Sequence, residues 1–352
     1  MLRRKACLPR RMSLRGLPAG RQVVNVLVTG GAGYIGSVTT HELIRQGYDV
    51  VVYDDLSYGH KQALPKQASF VKGSLLDKEK LLHALQEGKI DAVIHFAGLI
   101  AVGESVKEPL KYISNNVIGG VVLLDCMREC AVNKIIFSSS AAVYGDPKTV
   151  PIREDADLCP TSPYGETKLI FEKFLRMCDQ AYGMRSICLR YFNAAGADIN
   201  NDLGEDHDPE THLIPLILKV ALGQRDKIDI FGTNYDTPDG TCVRDYVHIK
   251  DLAAAHVLAL KKLEKGAGSN IYNLGSSKGY SVKEVIDACG KITGKNIKAE
   301  ESPRRAGDPP RLVASSEKIR RELGFKFQHS ELRNIIETAW KWHSKHPRGY
   351  KG

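Results

Sequence analysis

The stretch Val26–Gly36 reads VLVTGGAGYIG and decides the fold. Its apolar, β-branched first half predicts a buried strand, and the segment after the glycines has the pattern of a helix. Between them, Gly30 permits a sharp turn, Gly33 lets backbone amides approach a pyrophosphate, and Gly36 allows close helix packing. The stretch therefore predicts a dinucleotide-binding turn, with an ordinary glycine-rich turn as the alternative.

The next apolar run supports a dinucleotide. It ends at Asp54, about twenty residues beyond the glycines, where an acid hydrogen-bonds the adenosine ribose. A carboxylate at this position also repels a 2′-phosphate. We therefore predict NAD rather than NADP as the cofactor.

The chain alternates short β-branched runs with longer amphipathic stretches. The predicted strands are Asn25–Thr29, Val50–Asp54, Ala92–Phe96, Lys134–Ser138 and Ser186–Tyr191. This alternation predicts an α/β fold with a doubly wound parallel Rossmann sheet. After about residue 194 the loops become longer and richer in Pro, Asp and Gly, as in Asn200–Pro209 and Thr233–Gly240. We assign 25–193 to an NAD-binding Rossmann domain and 194–352 to a smaller C-terminal α/β lobe for the substrate.

The formal net charge of +9 is concentrated at the start of the chain. Residues 1–21 hold seven basic side chains and no acid, and the remainder carries 43 basic and 41 acidic residues, a net +2. A nearly neutral body lacks the basic face that a nucleic-acid backbone requires, so we predict no nucleic-acid partner. We expect residues 1–24 to be a disordered basic extension, or one translated from an early start codon. A transit peptide is the alternative.

Two further patterns bear on location. No run of about 18 apolar residues occurs, so we expect no membrane span. The eight cysteines are scattered without a Cys-x-x-Cys motif, and we expect reduced thiols in a cytoplasmic protein without a metal site.

A Tyr-x-x-x-Lys pattern, which places both side chains on one helix face, occurs three times. Tyr144/Lys148 encloses Gly145 and Pro147, which oppose a helix, and Tyr246/Lys250 lies in an alternating, strand-like run. Tyr164/Lys168 alone follows a helix start, Ser162-Pro163, and precedes residues of helical period. We therefore predict Tyr164 and Lys168 as the catalytic pair.

The predicted chemistry is oxidation and reduction of a hydroxyl. A tyrosine with a pKa near 10 is a poor base at neutral pH, but a nearby ammonium favours its phenolate. Tyr164 could then accept a hydroxyl proton while hydride leaves for NAD. The run IIFSSS ends at Ser140, at the sheet edge where ligands collect, so Ser140 is the candidate to hold the substrate oxygen.

These motifs resemble the extended short-chain dehydrogenase/reductase family, and within it the C4 epimerases of nucleotide-linked sugars. The resemblance runs from about Val26 to the C-terminus. It is carried by VTGGAGYIGS, VIHFAGLIAVGES, FSSSAAVYGD, SPYGETK, LRYFNAAGA, DGTCVRDYVH, IYNLG and PRRAGD. It implies tightly bound NAD, a UDP-sugar substrate, interconversion of UDP-glucose and UDP-galactose through a 4-keto sugar, and a homodimer formed by two helices, here roughly Pro109–Cys130 and Gly165–Tyr182.

The resemblance also implies site residues. The catalytic set would be Ser140, Tyr164 and Lys168. The cofactor contacts would be Gly30, Gly33, Tyr34, Ile35, Gly36, Asp54, Phe96, Ala97, Asn115, Tyr164, Lys168 and Tyr191. The substrate contacts would be Ser140, Asn193, His212, Leu213, Phe231, Arg244, Arg305, Asp308 and Leu312. Leu312 holds a position that is often Tyr in members restricted to plain hexoses and smaller in members that accept N-acetyl sugars. Two interpretations therefore stay open: the pocket has room for a 2-acetamido group, or Leu312 is merely apolar lining and other walls of the pocket exclude that group.

Local sequence separates this chain from related dehydratases. Those enzymes place an Asp-Glu pair after the catalytic hydroxyl, whereas Ala141 and Ala142 follow Ser140 here. Three residues depart from the family pattern: Ser74 for an acid near the adenine, Ile100 for a Lys near the pyrophosphate, and His212 for an Asn near the substrate diphosphate. Two alternatives stay open, a non-catalytic NAD-binding protein and an enzyme acting on UDP-pentoses or UDP-uronates.

Overall fold

The structure is a computed structural model that describes residues 23–305 and 308–351. The predicted basic extension, 1–24, lies outside these residues except for its last two positions. The strands are β1 Asn25–Thr29, β2 Asp49–Asp54, β3 Ser69–Lys72, β4 Ala92–His95, β5 Lys134–Ser140, β6 Arg185–Tyr191, β7 Asn193–Ala195, β8 Ile228–Phe231, β9 Val243–His248, β10 Asn270–Leu274, β11 Gly279–Ser281, β12 Ala299–Ser302 and β13 Arg311–Leu312.

The helices of the same residues lie between these strands, except the last two, which follow β13. They are α1 Tyr34–Arg45, α2 Lys78–Glu87, α3 Val102–Lys107, α4 Pro109–Tyr112, α5 Gly119–Glu129, α6 Pro163–Tyr182, α7 Leu213–Ala221, α8 Ile249–Glu264, α9 Val282–Thr293, α10 Glu317–Leu323 and α11 Leu332–Lys345. A π-helical stretch, Ile113–Ile118, joins α4 to α5, and a 3-10 turn, Ala141–Tyr144, follows β5.

Seven parallel strands form the main sheet in the order β10-β6-β5-β4-β1-β2-β3. The five predicted strands are all among them, and the predicted α/β Rossmann class is confirmed. The chain order reverses between β1 and β4, so the carboxyl ends of these two strands border the crevice in which open α/β sheets bind ligands.

Both faces of the sheet are covered, which explains why its strands are apolar nearly throughout. In β1, Val26 and Val28 pack into one buried cluster together with residues of α8. Leu27, between them, points to the opposite cluster, which contains residues of α2 and α5. The two clusters hold the strand ends, and therefore the ligand crevice, in a fixed position.

The C-terminal part builds a smaller lobe. In its four-stranded sheet β9 pairs with β7, β11 and β13, and β12 pairs separately with β8. The predicted loops Asn200–Pro209 and Thr233–Gly240 contain neither helix nor strand. The predicted domain boundary at 193/194 does not coincide with a boundary between sheets. β10, which comes after it in the chain, pairs with β6 in the main sheet. Among the described residues, no helix combines the length and the apolar character that crossing a membrane requires.

Candidate functional site

The glycine turn has the geometry that its sequence predicts. Gly30 has a φ of +70°, which favours glycine, and a Cβ there would lie 2.5 Å from the amide nitrogen of Ala97. Gly36 packs so closely that a Cβ would lie 2.2 Å from the carbonyl oxygen of Gly30. Gly33 is the N-cap residue of α1 and brings no side chain over the helix end. The first amides of a helix have no acceptor within it, and no side chain caps them here, so this helix end suits a pyrophosphate, as NAD requires.

The other predicted cofactor residues surround this turn. Asp54 is buried at the end of β2, where its carboxylate accepts hydrogen bonds from the amides of Ala32, at 2.9 Å, and Leu56, at 2.8 Å. Burial raises the pKa of Asp54, and these two amides partly offset the rise. Tyr34 and Ile35 form the first turn of α1, and the Tyr34 hydroxyl donates to the carbonyl of Gly196 at 2.6 Å.

The remaining candidates lie at the neighbouring strand ends, except Asn115. Phe96 and Ala97 follow β4, and their amides donate to the carbonyl of Thr29. Tyr191 ends β6, and its hydroxyl contacts that of Ser138. Asn115 is half-buried in the π-helical stretch.

Asn116, the next residue, was not singled out from the sequence. Its amide oxygen accepts from the Leu99 amide at 2.8 Å, and its nitrogen donates to Thr167 at 3.1 Å. These bonds tie the π-helical stretch to the helix of Tyr164 and Lys168. The adjacent pair Asn115-Asn116 was the available signal, but sequence alone does not tell which of two neighbouring side chains points inward.

The structure separates the three Tyr-x-x-x-Lys pairs. Tyr164 and Lys168 are both buried on α6, one turn apart, whereas Tyr246 belongs to strand β9. Tyr144 ends the 3-10 turn, and its partner Lys148 is exposed and paired with Asp157. The predicted helix start is also present: Ser162 is the N-cap of α6 and accepts from the Gly165 amide at 3.2 Å.

Tyr144 instead belongs to a buried polar network. Its hydroxyl donates to Asn273 at 2.7 Å and accepts from Arg190 at 2.9 Å. Arg190 also forms a fully buried ion pair with Glu172, which is the residue one turn beyond Lys168. A tyrosine held in this way has a structural function and no free access to a substrate.

Lys168 is fixed at the carboxyl end of β5. Its ammonium donates to the carbonyl of Ser138 at 2.8 Å and lies 5.8 Å from the centre of the Tyr164 ring. Burial lowers the pKa of Lys168 to about 8, with an opposing contribution from Glu172. The side chain therefore keeps a positive charge at neutral pH beside the phenol.

Ser140 completes this group. It ends β5, and its hydroxyl accepts from the amide of Ala142 at 3.1 Å. Burial raises the pKa of Tyr164, and a hydrogen bond with Ser140 opposes the rise. The structure thus brings Ser140, Tyr164 and Lys168 together at the edge of the sheet where the glycine turn also lies.

The substrate candidates of the C-terminal lobe form two groups. Arg244 on β9 pairs with Asp308, and the Arg305 guanidinium lies 3.8 Å from the centre of the Phe231 ring. A cleft of about 460 Å³ is lined in part by Arg305 and Asp308. An arginine over an aromatic face, beside a cleft, suits a nucleotide base or phosphate.

The second group lies closer to Ser140. Asn193 begins β7 and donates to the carbonyl of Asp245 at 2.8 Å. Leu312 on β13 packs against a buried cluster that contains Ala141, the residue after Ser140. Leu312 is also the register partner of Arg244, so it is adjacent to the arginine group as well.

His212 is the N-cap residue of α7, and Leu213 is its first residue. His212 also belongs to a group of side chains that was not expected from the sequence. His212 Nδ1 lies 2.5 Å from Glu205 Oε1, and His207 and Glu210 lie beside them. The largest effect on Glu205 is burial, which raises its pKa, but His212 and His207 outweigh it and lower the pKa. The available signal was the run GEDHDPETH, in which histidines alternate with acids. From the sequence we predict no metal site, and His212 is the single member of this group to which we assign a role.

Comparison with known proteins agrees with this geometry. Residues 26–275 match the NAD dependent epimerase/dehydratase family. The chain is 53% identical over 325 residues to the UDP-glucose 4-epimerase of Halalkalibacterium halodurans, covering 92% of this chain and 97% of that protein. It is similar to the structure of UDP-glucose 4-epimerase from Bifidobacterium longum in complex with NAD+ and UDP, with a TM-score of 0.89, 41% identity, and coverage of 93% and 100%.

The name of a third similar protein includes an N-acetyl sugar as well as glucose. The UDP-Glc/GlcNAc 4-epimerase of Campylobacter jejuni matches with a TM-score of 0.81 and 40% identity over 92% of this chain and 99% of that structure. These matches extend over nearly the whole chain, glycine turn and Tyr-Lys pair included. The chain therefore belongs to the NAD dependent epimerase/dehydratase family.

Proposed function

We propose that the chain is a UDP-glucose 4-epimerase, which interconverts UDP-glucose and UDP-galactose with tightly bound NAD. The observation that carries the proposal is the grouping of Ser140, Tyr164 and Lys168 beside the glycine turn, in a chain about half identical to proteins of that name. Ala141 and Ala142 follow Ser140, so the proton-exchanging pair of a dehydratase is missing from this position.

Tyr164 is the proposed base. Its phenolate accepts the proton of the sugar 4-hydroxyl, and Ser140 donates a hydrogen bond to the same oxygen. The ammonium of Lys168, 5.8 Å from the centre of the Tyr164 ring, favours the phenolate electrostatically. The hydrogen bond with Ser140 opposes the effect of burial on the pKa of Tyr164. When the resulting 4-keto sugar is reduced again, Tyr164 returns the proton.

The glycine turn, Asp54, Lys168 and the strand ends around Phe96 and Tyr191 are the residues proposed to hold the cofactor. When bound there, NAD would supply reversible hydride transfer at C4 of the sugar, with the hydride returning to the opposite face of that carbon. The protein must hold the nucleotide of the substrate while the keto sugar turns over. We assign this function to Arg244, Arg305 and Asp308.

We also propose a cytoplasmic homodimer. The seven cysteines among the described residues are free thiols, as is usual for proteins of reducing compartments. The two helical segments expected at the interface carry exposed apolar side chains, including Leu110 and Met177. Contiguous exposed apolar residues on neighbouring helices favour contact with a second chain.

The test is to incubate the purified protein with UDP-galactose and no added NAD. We expect UDP-glucose to form and NAD to be released when the protein is denatured, since the hydride must return to its own sugar. A nucleotide-free protein that turns over only with stoichiometric added reductant would contradict the proposal. UDP-arabinose in a parallel reaction distinguishes the pentose-specific alternative.

A second activity, on UDP-N-acetylhexosamines, is favoured by Leu312. This residue has no phenol ring, packs against the cluster that contains Ala141 and pairs in register with Arg244. The Campylobacter jejuni protein, whose name includes the N-acetyl sugar, is 40% identical to this chain. We propose that the pocket accepts a 2-acetamido group beside Leu312.

A further inference from the structure

Four side chains between β7 and α7 form a compact group, which we call the histidine–glutamate cluster: Glu205, His207, Glu210 and His212. Each offers one ligand atom, and these four atoms lie within 4.8 Å of one another. The cluster lies outside the Tyr-Lys pair, and the proposed epimerase mechanism does not use it as a unit.

Burial makes the charges of the cluster costly. The Glu205 and Glu210 side chains are only 4% and 2% exposed, so two carboxylates lie almost out of water. A buried carboxylate requires a cation or several hydrogen bonds. Glu210 accepts from the backbone amides of Thr211 and His212 through one oxygen, which leaves its other oxygen facing His207.

The simplest explanation is a pair of imidazolium–carboxylate bonds, and the distances do not support it fully. His207 Nδ1 is buried and makes no hydrogen bond to any residue within 23–305 and 308–351. It lies 3.4 Å from Glu205 Oε1 and 3.7 Å from Glu210 Oε2, and His212 Nδ1 lies 3.7 Å from Glu210 Oε1. These separations exceed hydrogen-bond length.

The same separations suit a tetrahedral metal ion. Bonds of about 2.0–2.2 Å from zinc to His nitrogen or carboxylate oxygen place neighbouring ligand atoms roughly 3.3–3.5 Å apart. With Oε2 as the ligand atom of Glu210, the two edges from His207 Nδ1, 3.4 Å to Glu205 Oε1 and 3.7 Å to Glu210 Oε2, are near that spacing. The short edge of 2.5 Å between His212 Nδ1 and Glu205 Oε1 needs to open by about 1 Å. Two neutral imidazoles and two carboxylates also balance the charge of a divalent cation.

We propose that the histidine–glutamate cluster binds one Zn²⁺ through Nδ1 of both histidines and one oxygen of each glutamate. The ion fixes the loop before α7, whose N-cap is His212. The His207 ring lies edge-to-face with Tyr34 of the glycine turn, at 6.2 Å between ring centres. The ion thus braces the C-terminal lobe against the cofactor turn, and its function is structural rather than catalytic.

The experiment uses untagged full-length protein, stripped with EDTA and then titrated with ZnCl₂ in a calorimeter. We expect one equivalent to bind, and Co²⁺ in its place to give the intense visible bands of a tetrahedral site. His207→Gln and Glu210→Gln should each weaken zinc binding by at least about 100-fold, since each removes a ligand. His83→Gln, on the exposed face of α2, is the matched control and should bind zinc like the wild type.

Two results would overturn the proposal. One is wild-type protein that binds no zinc, or gives only the weak bands of octahedral Co²⁺. The other is a His207→Gln variant that is folded by circular dichroism and binds zinc as tightly as wild type. If both ligand variants fail to fold, the Co²⁺ spectrum of the wild type decides. None of these readouts depends on epimerase activity, so they stay separate from a failure of the proposed function.

Discussion

Tyr164 and Tyr144 are both buried tyrosines followed four residues later by a lysine, yet their surroundings differ. We expect Tyr164→Phe to lower kcat by about 10²–10⁴, because the ring stays but the base is lost. Tyr144→Phe should leave kcat within a few-fold and lower the free energy of unfolding by about 1–3 kcal/mol, because Arg190 and Asn273 each lose a buried partner. Steady-state kinetics and urea unfolding of both variants check this, and equal loss of kcat would make our choice of pair wrong.

The residues of the candidate site were predictable to different degrees. The glycine turn and the Tyr164–Lys168 pair follow from local spacing, because their chemistry depends on a single turn or helix. The histidine–glutamate cluster needed the structure, since spacing does not show that a loop folds His207 and His212 toward the same point. Which of Asn115 and Asn116 points inward likewise depends on the local π-helical winding.

Leu312 is the residue at which sugar range can be tested. We expect wild type to act on both UDP-galactose and UDP-N-acetylgalactosamine. Leu312→Tyr should suppress the N-acetyl reaction selectively, because the ring fills space beside the catalytic turn. Competition between the two substrates is the measurement. No N-acetyl turnover by wild type, or equal loss of both reactions in the variant, would mean that Leu312 does not control this pocket.

At the scale of elements, α6 carries the catalytic pair and begins with a capped turn. Ser162 accepts a hydrogen bond from the Gly165 amide, and Pro163 occupies the first helical position. Ser162→Ala should lower the free energy of unfolding by about 1 kcal/mol, whereas Ser162→Thr should recover most of that loss. Urea unfolding measures both, and an alanine variant as stable as wild type would show that the cap contributes nothing.

The helical layer around α4 and α6 carries the exposed apolar residues on which the proposed dimer depends. Leu110 is 77% exposed on α4 and Val121 is 44% exposed on α5. If these residues meet a second chain, replacing both by Glu should give a protein with the mass of one chain, because charges lose solvation in an apolar interface. Light scattering at micromolar concentration is the measurement, with Leu76→Glu, at another exposed apolar position, as control. A wild type of one-chain mass would refute the dimer.

At the scale of the whole molecule, buried histidines make stability depend on pH. Burial lowers the pKa of His256 to about 4, against 6.5 for a free imidazole. The unfolded chain therefore binds one more proton between pH 6.5 and 4, so this contribution is present above pH 6.5 and is lost as the pH falls. His95 and His248, with pKa values lowered to about 3 by burial, act in the same direction.

The variant His256→Phe removes one of these titrating imidazoles and so tests its contribution alone. The His256 ring lies against Phe96, 4.6 Å between centres, so an aromatic ring fits the site. We expect the free energy of unfolding to fall less steeply with acid in the variant, by about 1.4 kcal/mol per pH unit between pH 6.5 and 4. Urea unfolding at several pH values measures the slope, which is independent of any packing change. Parallel curves for the variant and wild type would show that His256 is not the titrating group.

The fold was predictable where a strand is a clear apolar run, whereas β3 and β10 of the same seven-stranded sheet were not predicted. The five predicted strands are all in the parallel sheet, because apolar β-branched runs mark strands that are covered on both faces. The short strands of the C-terminal lobe were missed, since two to four residues such as Arg311–Leu312 carry no periodicity and form only through pairing with β9.

The return of β10 to the main sheet has a consequence for how the chain can be divided. Between β6 and β10 the polypeptide makes an excursion of about eighty residues and then re-enters the sheet beside its point of departure. A fragment ending at residue 193 would leave β6 as an open edge with unpaired amides and carbonyls, prone to associate with other chains. The two lobes are therefore interwoven rather than strung in series, and neither is a transferable module for grafting onto another protein.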